Sequence, residues 1–419
     1  MTRRLVFISI VSVIALGTLI GSTCLSTITG TTTTIPAGDD TSWNQHTVNT
    51  GAGLRPVFTA VADFDADSKL DVIAAYTGQN TTNPAVIIFF QDSIDSFTAV
   101  TIGTGTDLAS VSSLAVADLD EDGHLDVVAA CDGQLVYFHS ASDARTAAGW
   151  TRSIIDGSTG TGIGVWQDVV IGSIDGINGL DIVACNPNVA RWSWFKSPVV
   201  GIITGSGWAR FDIDTASKAG AAGVAIADFD FDGRLDVIST SQDGNIDPRI
   251  AWYRNPADPT VVDDWTKFKV GNLPSASRVI VADLDSDGRS DVVALNASGK
   301  QIGWYRQPSD ATTAWSGFLL AQFTSATPVD LKAADVEGNG QLNVIVAASS
   351  GPLLRWFSPT SSDQTLQWTE NKVRDLDTSF TPFRIAIGDI DADGRPDAIV
   401  PVQATSSAQD AILWLENPK

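Results

Sequence analysis

The apolar positions of this chain come in short runs, and the polar positions between them repeat. Runs such as Val279-Ile280-Val281-Ala282 and Val292-Val293-Ala294-Leu295 are divided by Gly, Pro, Asn and Asp. Short β-rich runs between turn-forming residues predict strands. No stretch after residue 43 carries the 3.6-residue period of an amphipathic helix. A longer, mainly apolar run extends from Leu5 to Ile20, behind Arg3 and Arg4. A basic start followed by a 16-residue apolar run is too short for a membrane span and fits a secretory signal over residues 1–23, the alternative being an N-terminal anchor. Residues 24–42 are Thr-rich without apolar period and predict a linker. The protein is therefore expected outside the cytoplasm, extracellular or periplasmic, or tethered to the cell surface.

A long period organises residues 43–419. VADFDADSKLDVI starts at Val61, VADLDEDGHLDVV at Val116, IADFDFDGRLDVI at Ile226, VADLDSDGRSDVV at Val281 and IGDIDADGRPDAI at Ile387. Weaker copies start at Ile171 and Ala333. The first acidic position of each copy, or its equivalent, is residue 63, 118, 173, 228, 283, 335 and 389, a spacing of 52 to 55. An apolar run enters each Asp-rich stretch and another leaves it. An aromatic pair follows, read as Phe89-Phe90, Tyr137-Phe138, Trp194-Phe195, Trp252-Tyr253, Trp304-Tyr305 and Trp356-Phe357, with Trp414-Leu415 in the last unit. A further aromatic (Phe97, Trp150, Trp208, Trp265, Trp315, Trp368) opens a fourth run. Four strands per unit in seven units predict an all-β, seven-bladed β-propeller. The last unit lacks its fourth run, and the run after Trp43 is spare. The N-terminal strand is expected to join the C-terminal blade and close the ring, which removes an open sheet edge.

The Asp-rich stretch reads D-x-D-x-D-G-x-x-D. Oxygens at positions 1, 3 and 5 of a tight loop converge, Gly at 6 allows a positive φ, position 7 can offer its carbonyl, and the Asp at 9 closes the shell. An all-oxygen donor set suits a hard cation, Ca²⁺ above all. Five loops are complete: Asp63, Asp65, Asp67 and Asp71; Asp118, Asp120, Asp122 and Asp126; Asp228, Asp230, Asp232 and Asp236; Asp283, Asp285, Asp287 and Asp291; Asp389, Asp391, Asp393 and Asp397. Their position-7 carbonyls belong to Lys69, His124, Arg234, Arg289 and Arg395. The first loop has Ser68 in place of Gly. Asp335, Glu337, Asn339 and Asn343 form a weaker sixth set. The third unit keeps Asp175 and Asp181 but has Ser173 and Ile177 at ligand positions, and is expected to hold no ion.

Composition sharpens this picture. Lys plus Arg is 26 and Asp plus Glu is 49, a formal charge of −23. Such a chain repels a phosphate backbone, so no nucleic-acid partner is expected. The five complete loops hold 20 of the 49 acidic residues, and five Ca²⁺ would offset 10 of the 23 negative charges. Three Cys and three His give little material for a disulfide scaffold, a zinc site or His-based catalysis. Cys131 and Cys185 lie on second strands of adjacent units and are read as buried thiols. His46 and His139 are read as structural.

The seven loops in register resemble the FG-GAP/VCBS repeat family, whose seven-bladed form makes the head of integrin α subunits. Literal Phe-Gly and Gly-Ala-Pro halves are absent, so the VCBS branch is the nearer match. The resemblance covers residues 43–419. It implies calcium loops joining the first and second strands of each blade on one face, and ligands docking on the opposite face. Five residues ahead of each loop stand Phe58, Ser113, Asp168, Gly223, Arg278, Asp330 and Arg384, expected near the mouth of the central channel on that opposite face. Asp168, Arg278, Asp330 and Arg384 are candidate ligand contacts. Trp166, outside the repeated aromatic positions, is a candidate for sugar stacking. The loops at residues 78–83 and 242–245 face the same side. The leading functional reading is a monomeric, non-catalytic binding or adhesion module for a carbohydrate or protein. The alternatives are a polysaccharide lyase or hydrolase using Asp168 with Arg278 or Arg384, and a structural assembly partner.

Overall fold

The computed structural model describes residues 43–418, apart from 51–53, 79–83, 109, 142, 158–164, 178, 189–190, 199–206, 215–219, 244–247, 352, 361–367 and 406–408. The signal and linker readings, and most of the loops at 78–83 and 242–245, lie outside the described residues. The described residues form seven antiparallel sheets and three short 3₁₀ turns, with no α-helix. None of their segments is a helix long and apolar enough to cross a membrane.

Six sheets are four-stranded and run in simple chain order. Their first strands are Leu54–Ala62, Ser113–Ala117, Asp168–Gly172, Ala221–Ala227, Arg278–Ala282 and Thr327–Ala334. These first strands lie against one another and line the axis. The seventh sheet takes its outer strand from the other end of the chain. Asn44–Thr50 pairs with Ala411–Glu416, from Asn44 opposite Glu416 to Thr50 opposite Ala411. Trp43 N–H donates to Val373 O at 3.0 Å, and Arg374 Nη1 donates to Trp43 O at 2.8 Å. The expected closure of the ring by the N-terminal strand is therefore present.

Burial follows from the pleat. Successive residues on a strand face opposite sides, so each sheet offers one apolar face to the blade before it and one to the blade after. Seven apolar clusters result, one in each interface between blades. Cys131 and Cys185 are buried thiols outside any disulfide, and they belong to clusters in different interfaces, which keeps them apart. Trp166 fills the interface of blades two and three, edge-on to Phe195 at 5.4 Å between ring centroids. At 2% exposure it has no face to offer a sugar, which corrects the stacking expectation.

The strand register also corrects one alignment. Phe89 pairs with Val72 as Phe138 does with Val127 and Tyr305 with Val292. The aromatic pair of blade one is thus Ile88-Phe89, and Phe90 stands one place later, level with His139, Lys196, Arg254, Arg306, Ser358 and Glu416. The side chains at this position decide what faces the Asp loops.

Candidate metal centres

Each Asp loop connects the first and second strands of its blade, and its shape comes from its own carboxylates. The position-1 Asp accepts two backbone N–H groups, those of positions 5 and 6. Asp283 accepts Asp287 N at 3.0 Å and Gly288 N at 2.9 Å. Asp63, Asp118, Asp228, Asp335 and Asp389 repeat the pattern. The carboxylate at position 5 then accepts the N–H of position 7, as Asp232 does from Arg234 at 3.0 Å. Gly at position 6 takes positive φ as expected, 88° at Gly233 for example, and Ser68 takes 71° in blade one. Position 4 is left-handed as well, at Ala66, Glu121, Phe231, Ser286 and Ala392. Non-Gly residues adopt this conformation only where surrounding bonds enforce it. Nothing in the residue types at position 4 announces the bend.

The acid at position 9 has a second role that the spacing did not reveal. It is almost fully buried, and it ties the loop to the third strand. Asp236 accepts Phe229 N at 3.1 Å from its own loop and Asn255 N at 2.7 Å from beyond the third strand. Asp71, Asp126, Asp181, Asp291 and Asp397 do the same. Side-chain amides then link neighbouring blades. Gln91, Asn255, Gln307 and Asn417 each donate to the position-2 carbonyl of the preceding blade's loop, at Ile390, Ile174, Phe229 and Val336. The Asn of the Asn-Pro pairs at 255 and 417 is thus a tie between loops.

Convergence of carboxylates is clear. Asp63, Asp65 and Asp71 place an oxygen each within 4.8 Å of one another. So do Asp118, Asp120 and Asp122; Asp228, Asp230 and Asp236; and Asp283, Asp285 and Asp291. The donor set fits a hard cation on an independent observation. Oδ1 of Asp230 and of Asp285 is buried and has no hydrogen-bond donor, while Oδ2 of each lies against an arginine, Arg254 and Arg306. A buried carboxylate oxygen without a donor is costly, and coordination to a cation is what would satisfy it. Burial pushes the Asp71 and Asp236 carboxyls up to about 7, and Asp181 and Asp397 up to about 6. Burial and the neighbouring Asp285 hold Asp291 well above the ordinary carboxylate range.

The residue after the aromatic pair sets a different electrostatic wall in each blade. Arg254 lies against Asp230, and Arg306 against Asp285 and Asp287. His139 Nδ1 is 3.5 Å from Asp120 and 3.3 Å from Asp126, so it faces the metal loop and is more than an isolated strand residue. In blade one, where Phe90 is apolar, Arg145 reaches across from blade two. It stacks over the Phe90 ring at 5.1 Å and contacts Asp65, Asp67 and Asp92. Blade seven has Glu416, which accepts from Asn44 and His46. In blade three, the unit expected to hold no ion, Lys196 Nζ sits 2.5 Å from Asp175. An ammonium thus stands beside the one position-3 carboxylate whose loop lacks acids at positions 1 and 5. In blade six Asn343 replaces the position-9 acid and accepts Val336 N at 2.9 Å, leaving its Nδ2 buried without an acceptor.

The opposite end of the inner strands brings the predicted channel residues together. Five strand residues span about 17 Å, so Ser113, Asp168, Arg278 and Asp330 stand that far from the Asp loops. Ser113 Oγ donates to Asp168 Oδ1 at 2.8 Å, and Arg384 Nη1 reaches the same oxygen from across the ring at 3.3 Å. Arg384 also lies over the Phe58 ring at 5.4 Å. It can do so because the inner strand of blade seven breaks between Phe380–Pro382 and Ala386–Gly388. In the break the backbone of Arg384 bonds blade one, accepting Thr59 N at 3.2 Å.

A family model described as an FG-GAP-like repeat matches residues 63–129, 228–294 and 283–346. The chain carries FG-GAP-like repeats. Each match starts at the first Asp of a loop, and the three together take in four of the five complete loops. No curated protein matches the chain significantly. Among solved structures, it is similar to a chain of the Chaetomium thermophilum Polycomb Repressive Complex 2 bound to GSK126, at 10% identity and a TM-score of 0.54, covering 90% of this chain and 99% of that one. It is similar too to the Dos1 propeller, at 9% identity and a TM-score of 0.51, covering 89% and 95%. At these identities the likeness shows the propeller fold alone.

Proposed function

We propose that this protein is an exported, calcium-stabilised binding module whose carbohydrate or protein ligand docks on the face away from the Asp loops. The observation that carries the reading is the repeated convergence of Asp carboxylates in loops whose backbone is already curled, with a buried Oδ1 lacking a donor at Asp230 and at Asp285. Ca²⁺ would supply charge neutralisation and a fixed centre for each loop. The chain's residues would do the rest. Positions 1, 3, 5 and 9 and the carbonyl of position 7 would hold the ion, position 9 would carry the restraint to the third strand, and the inter-blade amides would pass it around the ring. Blades one, two, four, five and seven have the full set, and blade six a reduced one. The arginine-rich basic start and apolar run of residues 3–20 support export.

The ligand face is supported by the convergence of Asp168, Arg278, Asp330 and Arg384 at the axis. A lyase or hydrolase needs an acid or base open to substrate, and Asp168 is engaged by Ser113 and Arg384, so binding without turnover is favoured. Glycan and protein arrays probed with the calcium-loaded chain and with the same chain in EGTA test the reading. Binding in calcium that disappears in EGTA is expected. Turnover of an acidic polysaccharide would replace the binding reading with the enzymatic one.

A further inference from the structure

The axial cluster is not balanced in charge. Asp168 and Asp330 contribute two negative charges, and Arg278, Arg384 and Lys332 three positive ones, in a protein whose total is −23. Both carboxylates are already engaged. Asp168 holds Ser113 and Arg384, and its Oδ2 accepts Val224 N at 3.4 Å. Asp330 Oδ2 accepts Ile385 N at 3.0 Å and Lys332 Nζ at 3.3 Å. Arg278 is left over. Its Nη1 donates to the carbonyls of Ala222 at 3.1 Å and Ser277 at 2.9 Å, its Nε is buried without an acceptor, and among the described residues no carboxylate lies within 4.0 Å of it. Burial and the nearby Arg384 pull its pKa down to about 10. Gly223, its counterpart in the adjacent blade, presents no side chain to it.

A guanidinium with an orphaned donor beside a second guanidinium is missing an acceptor of opposite charge. We propose that the Arg278 side of the axial mouth binds a single oxyanion, the carboxylate of an acidic ligand. The anion would accept from Arg278 and offset its repulsion with Arg384. The inference rests on the docking face proposed above, and it concerns the calcium-loaded protein, so its failure would leave the metal reading standing.

The test is thermal unfolding of the calcium-loaded full chain against sodium D-glucuronate and sodium acetate, with sodium chloride and D-glucose as controls at matched ionic strength. A saturable rise in Tm with either carboxylate and none with the controls is expected. A response to both would mean the bare carboxylate suffices. A response to glucuronate alone would mean the sugar ring adds contacts. Arg278→Gln should weaken the apparent affinity about tenfold or more, as loss of a charge-assisted hydrogen bond does, and Arg278→Lys should weaken it less. Equal shifts in wild type and Arg278→Gln, or none in either, would overturn the proposal. Should Arg278→Gln fail to fold, wild-type crystals soaked in selenate decide the matter. An anomalous peak in hydrogen-bond reach of Arg278 supports the site, and its absence there refutes it.

Discussion

At the scale of single residues, carboxylates that look alike in the sequence do different work. Asp291 accepts Leu284 N, Gln307 N and Trp304 Nε1, while Asp285 of the same loop has one oxygen against Arg306 and the other, Oδ1, buried without a donor. Removing Asp291 orphans three buried donors, each worth ~1–3 kcal/mol. Asp291→Ala should therefore lower stability by about 3–5 kcal/mol even in EGTA, partly relieved by water. Asp285→Asn should leave stability in EGTA unchanged or raised while weakening calcium binding. Urea unfolding of both variants with and without calcium checks the split, and equal effects in EGTA would contradict it. The D-x-D-x-D-G-x-x-D spacing made the ligand set legible. It could not show that position 9 is a backbone tie, because the third-strand amides it binds lie some twenty residues away. Nor could it show Arg145, which comes from another blade.

At the scale of elements, the whole ring depends on one short strand. Residues Asn44–Thr50 cover the edge of Ala411–Glu416, and Trp43 fills the interface of blades six and seven. Burying a Trp of this kind is worth about 3–5 kcal/mol against Ala. Trp43→Ala should lower the unfolding free energy by that amount, read from urea unfolding. Deletion of residues 1–50 should do more, exposing a strand edge and promoting association, seen as a larger assembly than the full chain forms in light scattering. A truncated chain that keeps the full chain's oligomeric state and stability would refute the closure. Strand order and closure were readable because the repeat was missing one strand at the end and had one to spare at the start. The blade-one pair was misread because Phe90 mimics an aromatic-pair residue, and only pairing of Phe89 with Val72 fixes its place.

At the scale of the whole molecule, the −23 charge is concentrated in loops that compete for protons and cations. Asp71 and Asp236 titrate at about 7, and Asp181 and Asp397 at about 6, against an ordinary 3.8. These acids bind protons more tightly folded than unfolded, so without calcium stability should fall as pH rises from about 4 to 7. Calcium would bind the ionised form and should flatten or reverse that slope, which a pH series of melting curves with and without EGTA reads directly. The propeller and its Asp loops were open to sequence reading because each blade repeats them. The channel cluster is built from one position whose residue varies around the ring, so only the closed ring shows Arg384 meeting Asp168. The most direct test of the account is thermal unfolding of the full chain at pH 7.5 in calcium and in EGTA, with bound calcium counted in the same samples. About five bound ions and a Tm lower by at least ~10 °C in EGTA are predicted, since each saturated site contributes RT ln(1 + [Ca²⁺]/Kd). No bound calcium and an unchanged Tm would contradict it.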